Sequence, residues 1–206
     1  MTSPLNMPLV TAFCGHELLA VGPLRDVAGA VWRAIKAADP QQGAVLVFDD
    51  ATGRVIDLEM RGDERRLLAH LDATWRAHEA VHNPDAIVEA APRPRGRPKL
   101  GVVAREITLL PRHWEWLATQ PGGASVALRK LVDAARRTHA DDDRVNAARD
   151  AAYRFMHATA GDLSQFEEVI RALYRGDEAR CRELVAVWPE DIRAYATRLA
   201  FPAAAD

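Results

Sequence analysis

The N-terminal part of the chain alternates between apolar and polar side chains in short runs. Residues 9–13 and 17–21 flank a turn at Gly15, and residues 44–48 and 54–59 flank a turn that contains aspartate and glycine. Alternation with a period of two between turn-forming residues is typical of β-hairpins. The pattern therefore predicts two hairpins in this part of the chain.

Apolar residues spaced three and four apart predict a helix after each hairpin. The first helix covers residues 24–38, with Val27 and Val31 in its apolar stripe, and the second covers residues 63–82. The order ββαββα indicates a small α+β sheet domain at residues 1–82, with the helices on one face of the sheet.

The rest of the chain divides into three segments by the same criteria. Residues 83–100 lose the periodicity and are predicted to be a linker. Residues 101–140 predict a strand at 103–110 and two helices, which are separated by a glycine turn at 121–123. Residues 141–206 carry the apolar spacing of about four more helices, the first of which is expected to begin at Asp141-Asp142-Asp143, where negative charge favours a helix N-terminus. The predicted fold class is therefore α+β, with a helical C-terminal region.

The composition is that of a globular protein rather than a disordered or fibrous one. Of its 206 residues, 49% are apolar and 27% are charged. Cys14 and Cys181 lie far apart in the sequence, which does not indicate a disulfide framework. No basic residue precedes Arg25, and no apolar stretch approaches the ~20 residues of a membrane span. We expect a cytoplasmic protein without a membrane partner.

Residues 92–140 concentrate the positive charge of the chain. They hold ten Lys and Arg residues against three acidic ones, whereas the whole chain has a net charge of −2. The remainder of the chain is therefore acidic. Positive charge gathered into one segment of an acidic protein is typical of a segment that binds a polyanion.

An arginine arm opens this basic segment. Its sequence Arg95-Gly96-Arg97-Pro98 resembles the core of an AT-hook, a peptide that binds the minor groove of DNA. The narrow minor groove of an A·T tract attracts inserted arginine side chains, and a glycine lets the backbone lie close to the groove floor. Proline fixes φ near its extended value, so little order has to be created on binding. The resemblance implies contact with an A·T-rich minor groove.

Basic residues on both sides of this core extend the expected contact. Arg93 and Lys99 are placed to meet phosphates at the edges of the groove. The alternative interpretation is that residues 92–99 form a stiff, soluble linker that is rich in proline and arginine.

The segment after the arm resembles the ribbon-helix-helix unit of small dimeric bacterial repressors. The predicted strand, helix, glycine turn and helix have the order and size of that unit. In that family the strands of two chains pair and lie in the major groove. The resemblance therefore implies a homodimer, with Arg105 and Thr108 as candidate groove contacts and Arg129 and Lys130 as candidate phosphate contacts.

The predicted strand departs from the ribbon-helix-helix pattern in its side chains. Neither face of residues 103–110 is uniformly polar, and Glu106 would repel phosphates, although it could accept a hydrogen bond from a cytosine amine. The alternative is that residues 101–140 are an ordinary strand-helix-helix piece of a hydrophobic core.

A possible zinc motif lies at the end of the second predicted helix. His78-Glu79-Ala80-Val81-His82 has the H-E-x-x-H spacing in which two histidines hold zinc and the glutamate acts as a base. The motif directly precedes Asn83-Pro84, its surroundings are polar, and no third ligand is evident. We therefore expect neither a catalytic residue nor a metal site, and no cofactor. The acidic residues of the second hairpin are likewise expected to form its turn and solvated face.

Four stretches of the chain are similar to a bacterial family known only as domain of unknown function 2239. They are residues 48–54, 96–106, 110–117 and 120–125. The similarity covers nearly the whole chain and implies no activity, so the functional predictions rest on the residues described above.

The favoured hypothesis is a dimeric DNA-binding protein that acts as a transcriptional regulator or a nucleoid-associated factor, and not an enzyme. A second hypothesis is an antitoxin-like protein-interaction module whose basic arm meets an acidic partner or RNA. A third is a zinc-dependent hydrolase, which rests only on residues 78–82. No small-molecule substrate is evident from the sequence.

Overall fold

The computed structural model of the protein describes residues 7–37, 43–82 and 105–202. Within these ranges the chain has three strands and seven α-helices. The strands are β1 (Leu9–Cys14), β2 (Glu17–Pro23) and β3 (Val45–Asp49). The helices are α1 (Leu24–Ala37), α2 (Glu64–His82), α3 (Pro111–Ala118), α4 (Gly123–Thr159), α5 (Phe166–Arg175), α6 (Glu178–Leu184) and α7 (Glu190–Ala200). The α+β class predicted from the sequence is confirmed.

The strands form one antiparallel sheet in the order β2-β1-β3. The first hairpin is confirmed, with Cys14 opposite Glu17 and Leu9 opposite Pro23. The helices predicted to begin near residues 24 and 63 are confirmed as α1 and α2.

The second predicted hairpin is present only in part. Residues 54–59 belong to no strand in the described chain and are joined to β3 by a single bridge, between Phe48 and Val55. Ile56, Leu58 and Met60 nevertheless turn inward onto the core while the residues between them are exposed. The backbone pairs with β3 at the start of this segment, where Asp49 N–H donates to the Arg54 carbonyl oxygen at 2.9 Å and Ile56 N–H donates to the Val47 carbonyl oxygen at 2.7 Å. Alternation reports which side chains are buried, so it continues past the residues that pair.

Both faces of the sheet are buried, whereas the sequence predicted helices on one face only. Val10 and Ala12 of β1 and Val47 of β3 pack into a cluster with α1 and α2. Phe13 and Phe48, which point the other way, belong to a second cluster formed with the helices of residues 152–200. Because successive side chains of a strand face opposite sides, a strand covered on both faces loses its polar positions.

The second cluster is centred on four aromatic rings. The Phe155 centroid lies 5.3 Å from that of Phe13, 4.9 Å from that of Phe48 and 4.5 Å from that of Tyr195. The contacts with Phe48 and Tyr195 are edge-to-face, with interplanar angles of 79° and 67°. This geometry is favourable for ring quadrupoles and adds to the burial of apolar area. The rings therefore hold the N-terminal sheet to α4 and α7.

A partly buried polar network lies beside these rings. Asp50 Oδ1 accepts hydrogen bonds from the hydroxyl groups of Thr11, at 2.7 Å, and Tyr195, at 2.8 Å. Arg198 Nη2 lies 3.5 Å from Asp50 Oδ2, and its guanidinium carbon lies 4.7 Å from the centre of the Tyr195 ring. Thr11 is fully buried, so the carboxylate satisfies a hydroxyl that water cannot reach.

The turn after β3 fits closely against α4. Asp49 Oδ1 accepts hydrogen bonds from the backbone N–H groups of Ala51 and Thr52, which confirms its predicted role as a turn former. Gly53 has a φ of +64°, and a Cβ atom at this position would lie 2.0 Å from the carbonyl oxygen of Ala151. Glycine is therefore required here both for the backbone conformation and for the approach to α4.

Helix α4 corrects the prediction that a new helix begins at residues 141–143. The helix continues through these aspartates from Gly123 to Thr159. The sequence between residues 124 and 160 contains neither glycine nor proline, so the acidic run is tolerated in the helix interior. Arg144 pairs with Asp141 one turn away.

The chain divides into two compact units. The first consists of Met1–Ile87 and Val145–Asp206, and the second consists of Val88–Arg144. The first unit contains both hydrophobic clusters, so the predicted segments 1–82 and 141–206 both contribute to it. In the described part of the chain, none of the helices combines the length and the apolar composition that a membrane span requires.

Replacement of Phe155 by alanine should lower the free energy of unfolding by about 3–5 kcal/mol, because the ring fills the centre of the aromatic cluster. Chemical denaturation monitored by circular dichroism measures this change. Val145→Ala, at an exposed position of the same helix, is the matched control and should change stability by less than about 0.5 kcal/mol. Equal effects of the two substitutions would contradict the central role of this ring.

Replacement of Asp50 by alanine should destabilise the protein by about 1–3 kcal/mol, because two hydroxyl groups lose their shared acceptor and one of them is fully buried. Asp57→Ala, at an exposed position, removes the same charge without breaking a described hydrogen bond. If thermal unfolding showed the same destabilisation for both variants, the network would have no specific contribution to stability.

Candidate nucleic-acid interface

The structure describes part of the predicted site. Arg105 and Thr108 are exposed in the segment before α3, and Arg129 and Lys130 are exposed near the start of α4. All four belong to the second unit. The arginine arm lies outside the described residues, and with it Arg93, Arg95, Gly96, Arg97, Pro98 and Lys99.

The start of α3 follows from local sequence. Leu110 has the extended backbone angles φ −67° and ψ 150°, and Pro111 occupies the first helical position, where its missing N–H costs nothing. The Leu110 carbonyl accepts hydrogen bonds from the backbone N–H of His113, at 2.8 Å, and of Trp114, at 3.3 Å. The predicted first helix of this segment is confirmed.

A glycine pair turns the chain from α3 into α4. Gly122 and Gly123 have φ values of +86° and +77°, which L side chains rarely adopt. A Cβ atom on Gly122 would also lie 3.1 Å from the side chain of Val126. The turn therefore sets the residue at which α4 begins. It thereby also sets the positions of Arg129 and Lys130 in the second turn of the helix.

Most of the described cations of the second unit have no carboxylate partner among the described residues. Of the seven Lys and Arg residues described between positions 105 and 144, only Arg144 forms an ion pair with another described residue. The other six, all exposed, are Arg105, Arg112, Arg129, Lys130, Arg136 and Arg137. Arg129 donates a hydrogen bond from Nε to the carbonyl oxygen of Ser125, at 3.1 Å, which orients the side chain without neutralising it.

Residues 105–110, predicted as part of a strand, are not in a strand in the described single chain. A ribbon strand pairs with the same strand of a second copy, so a single chain offers this segment no ladder partner. The ribbon-helix-helix arrangement therefore stays a prediction for the assembled protein. The order of elements after it, helix, glycine turn and helix, agrees with the sequence-based prediction.

Large apolar side chains are exposed in the described part of the second unit. Trp114 is 42% exposed, Trp116 50%, Leu131 48% and Val132 54%. The exposed set also includes Ile107 and Leu110, whereas the buried hydrophobic residues described in this unit are Leu117 and Ala127. Several large exposed apolar side chains within one short segment are typical of a segment that meets a partner.

The zinc hypothesis gains no support from the described residues. The H-E-x-x-H motif lies in the last turns of α2, and the side chains of residues 78–82 are outside the described part of the chain. Among the side chains that are described, no three His, Cys, Asp or Glu residues are grouped as metal ligands.

The perturbed ionisable groups lie in the first unit. Burial, and then the hydrogen bond to Asp50, raise the pKa of Tyr195, so its hydroxyl remains a hydrogen-bond donor. Burial raises the pKa of the Cys181 thiol to about 11, which keeps it protonated and unreactive at neutral pH. These shifts favour structural roles for both side chains.

The sequence did not predict a second group of arginines, which lines a groove in the first unit. Arg182 comes from α6, and Arg193 and Arg198 come from α7. In the sequence each of these residues looks like an ordinary charged residue of a helix. Their proximity cannot be read from the sequence, because it depends on how α6 and α7 pack. The i,i+4 spacing of Arg193 and Thr197 on one helix was the available signal.

Comparison with known proteins places the chain in a family without assigning it an activity. Residues 9–200 match the model of the family described as "Uncharacterized protein conserved in bacteria (DUF2239)". No curated protein and no solved structure shows significant similarity to the chain. Because the match spans nearly the entire sequence, the chain belongs to this bacterial DUF2239 family.

Proposed function

We propose that this protein binds DNA as a transcriptional regulator or a nucleoid-associated factor. The observation that supports the proposal best is the set of six exposed cations in the second unit that have no carboxylate partner among the described residues. In the first unit eight of the sixteen described Lys and Arg residues pair with an acid, as Arg171 does with Glu168, whereas in the second unit one of the seven described does. Unpaired cations keep their charge available to phosphates.

The arm and the helices have different roles in this proposal. Arg95, Gly96 and Arg97 enter an A·T-rich minor groove, and Pro98 keeps the peptide extended. Arg93, Lys99, Arg129 and Lys130 contact phosphates, which position the protein but carry no sequence information. Arg105 and Thr108 are the candidate groove contacts of the segment before α3. Specificity for A·T-rich DNA comes from the arm, and much of the affinity comes from the phosphates.

The exposed apolar residues of the second unit support a homodimer. A helix in water gains most of its stability from packing an apolar face, and Leu131 and Val132 lie on a stretch of α4, residues 129–147, that is exposed throughout. A second copy would cover these side chains and double the number of cations presented to one duplex. Two linked binding sites bind DNA more tightly than one, without any new contact.

The arm can be tested by titrating an A·T-rich duplex with the wild-type protein and with the double variant Arg95→Ala/Arg97→Ala at two salt concentrations. Wild-type affinity should fall steeply with salt, because each neutralised phosphate releases counterions. The variant should bind more weakly and lose its preference for A·T over G·C duplexes. Fluorescence anisotropy with labelled duplexes measures both quantities.

Two further double variants separate the parts of the proposed interface. Arg129→Ala/Lys130→Ala should weaken binding to all duplexes alike and reduce the salt slope by about one for each phosphate that the variant no longer neutralises. Arg65→Ala/Arg175→Ala removes the same charge from exposed positions of the first unit and should have little effect. Wild-type affinity in both the arm variant and the α4 variant would refute DNA binding through this surface.

Co-purification of a defined protein would favour the antitoxin-like hypothesis instead. Co-purification of stoichiometric zinc would favour the hydrolase hypothesis.

The dimer can be tested independently of DNA by sedimentation equilibrium. Leu131→Glu places a charge on the exposed apolar surface of α4 and should shift the protein from dimer to monomer while preserving its circular dichroism spectrum. Val187→Glu, at a position that is 64% exposed in the first unit, is the matched control and should leave the dimer intact. A wild-type protein that remains monomeric at micromolar concentration would contradict this part of the proposal.

A further inference from the structure

The groove in the first unit lies between the end of α6 and the face of α7. It has a volume of about 380 Å³ and belongs entirely to residues 182–201. Its lining includes three guanidinium groups, one hydroxyl group and two apolar side chains, namely Arg182, Arg193, Arg198, Thr197, Val185 and Phe201. A volume of this size is within the range of small-molecule sites, which is roughly 300–1,000 Å³.

Arg193 is the residue in this groove with the fewest partners. Its Nη1 donates a hydrogen bond to the carbonyl oxygen of Ala186, at 3.2 Å, and no ion pair joins it to another described residue. The side chain is only partly exposed. A guanidinium group has five N–H donors, so four donors of Arg193 remain for a ligand or for water.

The other two arginines are held in place but retain free donors. Arg182 uses Nε and Nη2 on a single oxygen of Glu178, at 2.9 and 2.7 Å. Arg198 uses Nη2 on Thr11 Oγ1, at 3.3 Å, and lies against the Tyr195 ring. Packing and hydrogen bonds therefore restrict both side chains before a ligand arrives, which reduces the ordering cost of binding.

The charge around the groove is unbalanced. Three guanidinium groups line it and no acidic residue does. Arg182 pairs with Glu178 and Arg198 with Asp50, both outside the lining, whereas Arg193 has no ion-pair partner among the described residues. One positive charge at this concave surface is therefore unpaired. A concave surface lined by one sign of charge raises the local concentration of ligands of the opposite sign.

The apolar part of the groove restricts the type of anion. Val185 is buried and Phe201 is partly buried, so each offers only a limited apolar surface beside the guanidinium groups. Inorganic phosphate would satisfy the arginines but would leave the exposed part of Phe201 in water, since Val185 is only 4% exposed. An organic body attached to the anion would cover Phe201.

We propose that this groove binds a small organic phosphomonoester, with the phosphate held by Arg193, Arg182 and Arg198 and the organic part against Val185 and Phe201. Three guanidinium groups suit a phosphate better than a carboxylate, because the phosphate has three acceptor oxygens and carries nearly two negative charges at neutral pH. The Thr197 hydroxyl, which donates to the Arg193 carbonyl oxygen at 2.8 Å, can accept a hydrogen bond from a ligand hydroxyl. The proposal is independent of DNA binding, because every residue of the groove belongs to the first unit.

Calorimetric titration of the full chain tests the site, with phenyl phosphate as the probe. The wild-type protein should bind one phenyl phosphate saturably, more tightly than it binds inorganic phosphate or benzoate. Arg193→Gln should weaken phenyl phosphate binding by about tenfold, because it removes charge-assisted hydrogen bonds. Arg193→Lys keeps the positive charge but loses the planar guanidinium, so its affinity for phenyl phosphate should lie between that of the wild type and that of Arg193→Gln.

The controls exclude effects on folding and on surface charge. Arg175→Gln removes a charge from an exposed position of the same unit and should leave phenyl phosphate binding unchanged. Each variant should unfold at the wild-type temperature in the absence of ligand. Phenyl phosphate binding that does not saturate, or that is equal in wild type and Arg193→Gln, would overturn the proposal. A decrease of DNA affinity in Arg193→Gln, without phenyl phosphate binding to the wild type, would instead assign the groove to the DNA interface.

Discussion

The burial of β1 on both of its faces is the constraint on which the first unit depends. Val10 and Ala12 face α1 and α2, while Thr11 and Phe13 face the helices at the other end of the chain, and all four side chains are fully buried. If one face of β1 were exposed to solvent, the apolar residues of the C-terminal helices would have no sheet face to pack against. The contact of Phe13 with Phe155 and Tyr195 thus joins segments that are more than 140 residues apart in the sequence.

This long-range contact also explains why a polar network lies in the interior. Thr11 lies between two apolar residues of β1 and faces α7, where its hydroxyl needs an acceptor. Asp50 supplies that acceptor and binds the Tyr195 hydroxyl with the same oxygen, so the carboxylate specifies the position of α7 against the sheet. Apolar packing alone would tolerate a shift of the helix, whereas a shared acceptor permits little movement. Arg198, at the edge of this network, connects it to the arginine groove.

Much of the secondary structure could be predicted from local sequence, and each error has an identifiable physical cause. The first hairpin, α1, α2 and α3 have strong turn or cap signals within a few residues of their ends, such as Pro111 at the start of α3. The burial of the second face of the sheet was not predicted, because the helices that cover it come from a distant part of the chain. Thr11, a polar residue within an apolar strand, also looks like a solvated position. The break expected at residues 141–143 was wrong because aspartate favours a helix start but does not forbid a helix interior. The arginine groove depends on helix packing, which local patterns do not contain.

The basic segment differs from the first unit in how its charges are arranged, and this difference supports a role in binding rather than in stability. Asp133 lies three or four residues from Arg129, Arg136 and Arg137, a spacing that permits ion pairs on a helix, yet none of the three forms one with it in the described chain. Even one such pair would leave two cations in excess. Exposed ion pairs contribute only about 0–1 kcal/mol, so leaving these residues unpaired costs the fold little. A polyanion that neutralises these cations releases counterions, and each neutralised cation adds to its affinity. The excess of unpaired cations therefore contributes to function only if such a partner binds.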